Sequence, residues 1–216
     1  MIQHHTNILA DDGQVTELLE PGPVITEAEL QQFVAEYGRQ LKEGDLVVLS
    51  GSIPVGVPTD IYATLTFMAK EKKCRVFLDT SSEALKMGVT ALPDLIKPNK
   101  KELEYLVGRR LDEKAEVIKE AEKLVKAGIQ KVIISLGEEG LLYVDEHGVL
   151  QQDAYKVKAV NTVACGDTVV ASYCMSELEK TDPAQANKKA AALAAANAST
   201  SVSAEIPIQL YQKLLG

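Results

Sequence analysis

Leu46-Val47-Val48-Leu49-Ser50-Gly51-Ser52-Ile53-Pro54 joins an unbroken apolar run to a small polar turn. Four apolar residues without alternation predict a strand covered on both faces, as in a parallel sheet. A helix is predicted after the turn, at about Pro58–Lys72, and the same unit then recurs. Val76-Phe77-Leu78 runs into Asp79-Thr80-Ser81, followed by a short helix around Glu83–Gly88. Leu95-Ile96 runs into Lys97-Pro98-Asn99, followed by helical Glu102–Val107 and a second helix over about Asp112–Ala127 that Gly128 ends. Val132-Ile133-Ile134 runs into Ser135-Leu136-Gly137. Strands alternating with helices at this spacing predict an α/β fold with a mostly parallel sheet.

Upstream, Thr26 followed by Glu27 and Glu29 opens a helix to about Lys42, stopped at Gly44. Asn7–Ala10 and Val15–Leu19 read as two short strands around Asp11-Asp12-Gly13, while Met1–Thr6 carries no clear signal and Glu20-Pro21-Gly22-Pro23 is a breaker. Downstream, Leu141–Val144 and Tyr155–Val160, split by Asp145-Glu146-His147-Gly148, predict an antiparallel sheet edge. Helices follow at about Gly166–Glu179 and Pro183–Asn197, and a terminal one from about Pro207. The Ala190–Ala196 run is too short for a membrane span and reads as tightly packed core.

A chain of 216 residues is long enough to bury a real core. Its net charge of −8 argues against nucleic acid or an anionic membrane as partner, since both need a basic surface. Cys74, Cys165 and Cys174 are too few and too scattered for a disulfide framework or a zinc site, and fit a reducing cytoplasm. Met1–Leu9 has no apolar core of signal-peptide length.

Ligands of open α/β sheets bind beyond the carboxyl ends of the strands. The loops there are Ser50–Pro54, Asp79–Ser82, Lys97–Glu102, Ser135–Gly140 and Thr162–Thr168, all polar or glycine-rich and all expected to follow strands. The sharpest is Asn161-Thr162-Val163-Ala164-Cys165-Gly166-Asp167-Thr168, small residues turning into an apolar helix. A helix N-terminus offers unpaired N–H groups and the positive end of a dipole, which suits a phosphoryl group in transit. Asp167 there can take a proton from a hydroxyl, or it can simply cap the helix. Cys165 is either a small packed side chain or a thiol whose pKa the helix lowers. Asn99 and Glu102 have capping-box spacing.

These residues resemble the ribokinase-like, or phosphofructokinase-B, carbohydrate kinases. The family signature Gly-Ala-Gly-Asp stands here as Ala164-Cys165-Gly166-Asp167, with two small replacements that leave the backbone N–H groups in place. Ala164 resists a positive φ that glycine accepts freely. Lys97-Pro98-Asn99-Lys100-Lys101-Glu102 matches Lys-Pro-Asn-x-x-Glu, and Ser135-Leu136-Gly137-Glu138-Glu139-Gly140 matches Ser/Thr-Leu-Gly-x-x-Gly. Thr6-Asn7-Ile8, Glu20–Pro23 and Asp79–Leu85 point to the 1-phosphofructokinase and tagatose-6-phosphate kinase branch.

The resemblance implies a ribokinase-like three-layer fold with helices on both faces of the sheet. It implies ATP with Mg2+, a phosphorylated ketose as substrate, a cytoplasmic location, and pairing through a lid as a homodimer. Asp167 would be the catalytic base, with the amides of Ala164, Cys165, Gly166 and Asp167 on the phosphoryl group. Ser135, Leu136, Gly137, Glu138, Glu139 and Gly140 would contact the nucleotide, Asn99 its triphosphate and Asn197 its adenine. Glu102 would hold Mg2+ through a water, and Ser50 and Gly51 would border the sugar.

Residues 1–20 would be a remnant of lid strands and 21–216 the nucleotide-binding and catalytic domain. The family's N-terminal α/β portion, with its Gly-Gly segment and sugar-holding Asp, has no counterpart here. The expectation is therefore a sugar-phosphate kinase, with a nucleotide-binding remnant without turnover as the alternative. A dinucleotide-binding fold would need Gly-x-Gly-x-x-Gly after the first strand, and the chain has none.

Overall fold

The structure, a computed structural model, describes residues 5–9, 15–19 and 22–216. β1 (His5–Leu9) and β2 (Val15–Leu19) form a separate antiparallel pair in the register His5↔Leu19. The expected turn at Asp11-Asp12-Gly13 lies outside the described residues.

The body alternates as the sequence predicts. α1 (Glu27–Gln40) begins in a capping box, with Thr26 and Glu29 each bonding the other's backbone N–H. β3 (Leu46–Ser50), α2 (Ile61–Glu71), β4 (Arg75–Asp79), α3 (Ser82–Gly88), β5 (Leu95–Ile96), α4 (Lys100–Val107), α5 (Lys114–Lys126) and β6 (Lys131–Ser135) follow. β7 (Leu141–Asp145) and β8 (Gly148–Gln152) are a hairpin, and α6 (Cys165–Glu179), α7 (Pro183–Ala198) and α8 (Ile208–Leu215) complete the chain. The six-stranded sheet runs β3-β4-β5-β6-β7-β8, parallel from β3 to β6 and antiparallel thereafter.

Two cores sandwich this sheet, because successive strand residues face opposite sides. Val76, Leu78, Val132 and Ile134 pack with α1–α5 on one face. Phe77, Leu95, Ile133 and Tyr143 pack with Val169 and Tyr173 of α6 and Ala186, Ala190 and Ala191 of α7 on the other. Glu177 ties α6 to the sheet through Arg75 (2.6 Å) and Lys131. Burial pushes the Glu177 carboxyl up, but the bonds from Lys131 and Arg75 outweigh it and hold it below the usual range.

Two expectations need correction. β3 is an edge strand, and Val48 is 43% exposed rather than covered. Its unbroken apolar run signals burial, but among the described residues nothing pairs with its outer side. The strand returning from β7 is Gly148–Gln152, whereas Tyr155–Val160 is irregular. Asp145 pairs directly with Gly148, so the turn is only Glu146-His147 and the hairpin closes before Tyr155 is reached. Thr162–Thr168 consequently does not follow a strand.

Candidate active site

The parallel strands β3 to β6 deliver their carboxyl ends to one rim of the sheet. At the outermost, Gly51 N donates to Asp79 O (3.0 Å), and Gly51 O accepts from Thr80 Oγ1 (2.7 Å). Tyr62 OH donates to Ser50 O (3.0 Å). Ser50 and Gly51 are exposed, so their turn is held from beneath and open above.

Asp79, ending β4, pairs with Lys97, two residues from Asn99, at 3.2 Å. Both side chains are mostly withdrawn from water, at 15% and 7% exposure. Burial pushes the Asp79 carboxyl up, Lys97 pulls it down, and the neighbouring charges of Glu102 and Asp167 push it up again. The balance is a raised carboxyl, so four charged groups from three loops share one small region.

Asn99 and Glu102 form the expected capping box of α4. Asn99 Oδ1 accepts from Glu102 N (2.9 Å), and Glu102 Oε2 accepts from Asn99 N (2.8 Å). The other Glu102 oxygen has no protein partner among the described residues. Asn99 bridges to Ser135, and Ser135 N donates to Pro98 O (3.1 Å), which lays the two loops side by side. Leu136 N donates to Gly140 O and Gly140 N to Gly137 O, closing the Ser135–Gly140 loop on itself. Glu138 and Glu139 are exposed there, and Glu139 meets Lys114 (3.3 Å), which leaves anion contact to the loop's backbone.

Ala164, not Asp167, is the N-cap of α6, at φ 64 and ψ 4. No side chain caps this helix, which overturns the reading of Asp167 as a cap. Asp167 is exposed in the first turn. Cys165 N turns back to Thr162 O (3.3 Å), while the Gly166 and Asp167 amides have no partner among the described residues. Lys97 lies against Gly166: a methyl placed there would be 3.3 Å from its Nζ. A cation and unpaired amides thus converge beside an exposed carboxylate, an arrangement that suits an anionic group.

The Cys165 thiol is pushed up by burial, against an opposing hydrogen bond from Asn197, so it is a packed side chain and not an activated thiol. Asn197 is only 1% exposed, and its amide is spent on Val163, Cys165 and Ala204. It therefore supports the loop rather than facing a nucleotide base. Lys97 and Asp79 were not among the candidate site residues, although a lysine closing a buried strand-and-loop segment was a signal in the sequence. A hollow of about 380 Å³ lined by Gly128, Lys131, Asp145 and His147 lies at the opposite end of the strands, away from these groups.

Comparison with known proteins agrees with this geometry. Residues 4–208 match the pfkB family carbohydrate kinase model, and the chain belongs to that family. It is 36% identical over 167 residues to 1-phosphofructokinase of Bacillus subtilis, covering 77% of this chain and 55% of that one. It is 37% identical over 169 residues to D-tagatose-1-phosphate kinase of Bacillus licheniformis, with the same coverage. Phosphofructokinase-2 from Escherichia coli, solved in complex with potassium, superposes with a TM-score of 0.91 at 28% identity, over 98% of this chain and 69% of that one. The chain thus spans about half the length of the curated relatives it matches. The fold is ribokinase-like, as expected: ribokinase from Thermotoga maritima superposes with a TM-score of 0.76 at 24% identity, over 99% of this chain and 69% of that one. Among the described residues, no helix is long and apolar enough to cross a membrane.

Proposed function

We propose that this chain carries the nucleotide and catalytic half of an ATP-dependent kinase that phosphorylates a hydroxyl of a ketose phosphate. One observation carries the reading: exposed Asp167, the unpartnered amides of Gly166 and Asp167, and buried Lys97 meet at one helix N-terminus. Asp167 takes the proton of the sugar hydroxyl as its oxygen attacks the γ-phosphorus. The bond from that phosphorus to the bridging oxygen breaks, and ADP leaves with the electron pair. The amides and Lys97 stabilise the equatorial oxygens in transit, which is where phosphoryl transfer gains most.

The open loops accommodate the other components. The closed turn Ser135–Gly140 offers backbone suited to the nucleotide, and Asn99, bridged to Ser135, lies beside that turn, a position that suits the triphosphate. The unpartnered Glu102 oxygen suits a water of Mg2+, whose role would be to neutralise charge on the phosphates. Exposed Ser50 and Gly51 suit the rim of the sugar site.

A second reading, a nucleotide-binding remnant without turnover, is favoured by the uncovered edge at Val48. That edge also offers a route to self-association separate from the pairing through the lid that the resemblance implies. ADP release by the purified chain with MgATP, across fructose 1-phosphate, fructose 6-phosphate, tagatose 6-phosphate and tagatose 1-phosphate, separates the two. Turnover on one sugar phosphate supports the kinase; no turnover with nucleotide still bound supports the remnant.

A further inference from the structure

Ala164 and Ala204 both hold left-handed backbone, at φ 64 and φ 60. That conformation costs a residue with a Cβ about 1–2 kcal/mol, and it persists only where the surroundings over-determine it. One side chain reaches both places. Asn197 Nδ2 donates to Val163 O (2.8 Å) and Cys165 Sγ (3.2 Å), on either side of Ala164. Its Oδ1 accepts from Ala204 N (2.8 Å).

A second buried asparagine repeats the link. Asn161 Oδ1 accepts from Val163 N (2.9 Å), and its Nδ2 donates to Ser201 O (3.3 Å) and Ser203 Oγ (3.2 Å). Val160 N and Asn161 N both donate to Ala198 O (2.7 and 3.1 Å). The loop 161–165 and the segment 198–204 are thereby stitched together, with the amide of each asparagine used on both sides.

We propose that Asn197, assisted by Asn161, is a positioning residue: it holds Ala164 in the left-handed conformation that aims the Gly166 and Asp167 amides at their anion, and it makes the 198–204 segment part of the anion site. Only the identity of that anion as a phosphoryl group rests on the proposed function.

Glycine at position 164 adopts the same conformation without being held, and this supplies the test. Asn197→Ala, Ala164→Gly and the double variant are compared in two measurements. Thr168 N donates to Ala164 O (2.9 Å), so its amide exchange, followed by NMR, reports whether the cap is formed. Calorimetry with MgATP, which carries the γ-phosphoryl group, reports the anion site. Releasing about 1–2 kcal/mol of strain corresponds to roughly a 5- to 30-fold change. Asn197→Ala is expected to speed Thr168 exchange and weaken MgATP by that factor, and Ala164→Gly in the same chain is expected to recover both to within about threefold.

Loss in Asn197→Ala that Ala164→Gly does not recover overturns the proposal, because a packing role or a direct contact with the base would be indifferent to glycine at 164. Unchanged exchange and affinity in Asn197→Ala overturn it too. If Asn197→Ala does not fold, Asn161→Ala with and without Ala164→Gly is read in the same way. If the parent chain binds no MgATP, the proposed function fails while Thr168 exchange still decides the positioning claim.

Discussion

Gly140→Ala and Gly137→Ala sit three residues apart in one loop and are predicted to behave differently. Gly140 lies at φ 94, ψ −138, which is closed to residues with a Cβ. A methyl there would stand 2.0 Å from Gln152 O, 2.6 Å from Ala154 N and 2.8 Å from Asp153 C. All three are backbone atoms leaving β8, so none can swing aside as a side chain would. The strained conformation costs about 1–3 kcal/mol, and forcing the strand end away costs about another 1–3. The sum, roughly 2–6 kcal/mol, lowers Tm by about 2–4 °C per kcal/mol in a chain of this size.

At Gly137, φ is 61 and nothing lies within 4 Å of an added methyl. There the left-handed cost, about 1–2 kcal/mol, is offset in part by the stiffer unfolded chain, worth about 0.4–1 kcal/mol. Urea and thermal unfolding followed by circular dichroism should therefore rank Gly140→Ala well below Gly137→Ala. Equal losses, or a Gly140→Ala variant within 1 kcal/mol of the parent, about the error of such work, would refute the packing described for this loop.

Lys97→Met strands the Asp79 carboxylate and should destabilise by about 3 kcal/mol at pH 7 in urea titrations. Asp79 is already raised by burial and rises further without its partner, so the deficit is full above that raised value and shrinks as acid protonates the group. Glu177→Gln tests the opposite sign. The Glu177 carboxyl is held low, so its stabilisation is present above the ordinary glutamate range and disappears as pH falls through the depressed value. The variant should lose about 1 kcal/mol at pH 7, after allowance for solvent screening, and match the parent in acid. Val48→Lys places a charge on the unpaired β3 edge and should reduce both self-association on size-exclusion chromatography and apolar-dye binding. A parent chain that already elutes as a clean, dye-free monomer would count against an adhesive edge.

The order of elements was legible because each signal was local. Apolar runs ending in small polar turns gave β3 to β6, and Thr26–Glu29 and Asn99–Glu102 carried their own caps. What the sequence obscured depended on partners elsewhere. Val48 reads as interior because its run is apolar, yet exposure depends on what lies beside the strand. Tyr155–Val160 has strand-forming composition, but the tight turn at Glu146-His147 spends the pairing on Gly148–Gln152. Asp167 resembles a cap by position, whereas the cap is a left-handed alanine, and only coordinates show φ. The bonds of Asn197 were invisible for the same reason: its three partners lie 7 to 34 residues away in the chain.

The most direct measurement of the central claim compares the parent chain with Asp167→Asn, recording MgATP affinity by calorimetry and ADP release with the ketose phosphate that supports turnover. The account predicts turnover abolished and nucleotide affinity nearly unchanged, because the carboxylate acts on the sugar hydroxyl while the amides and Lys97 hold the phosphates. Equal loss of both, or turnover that persists in the variant, would contradict it.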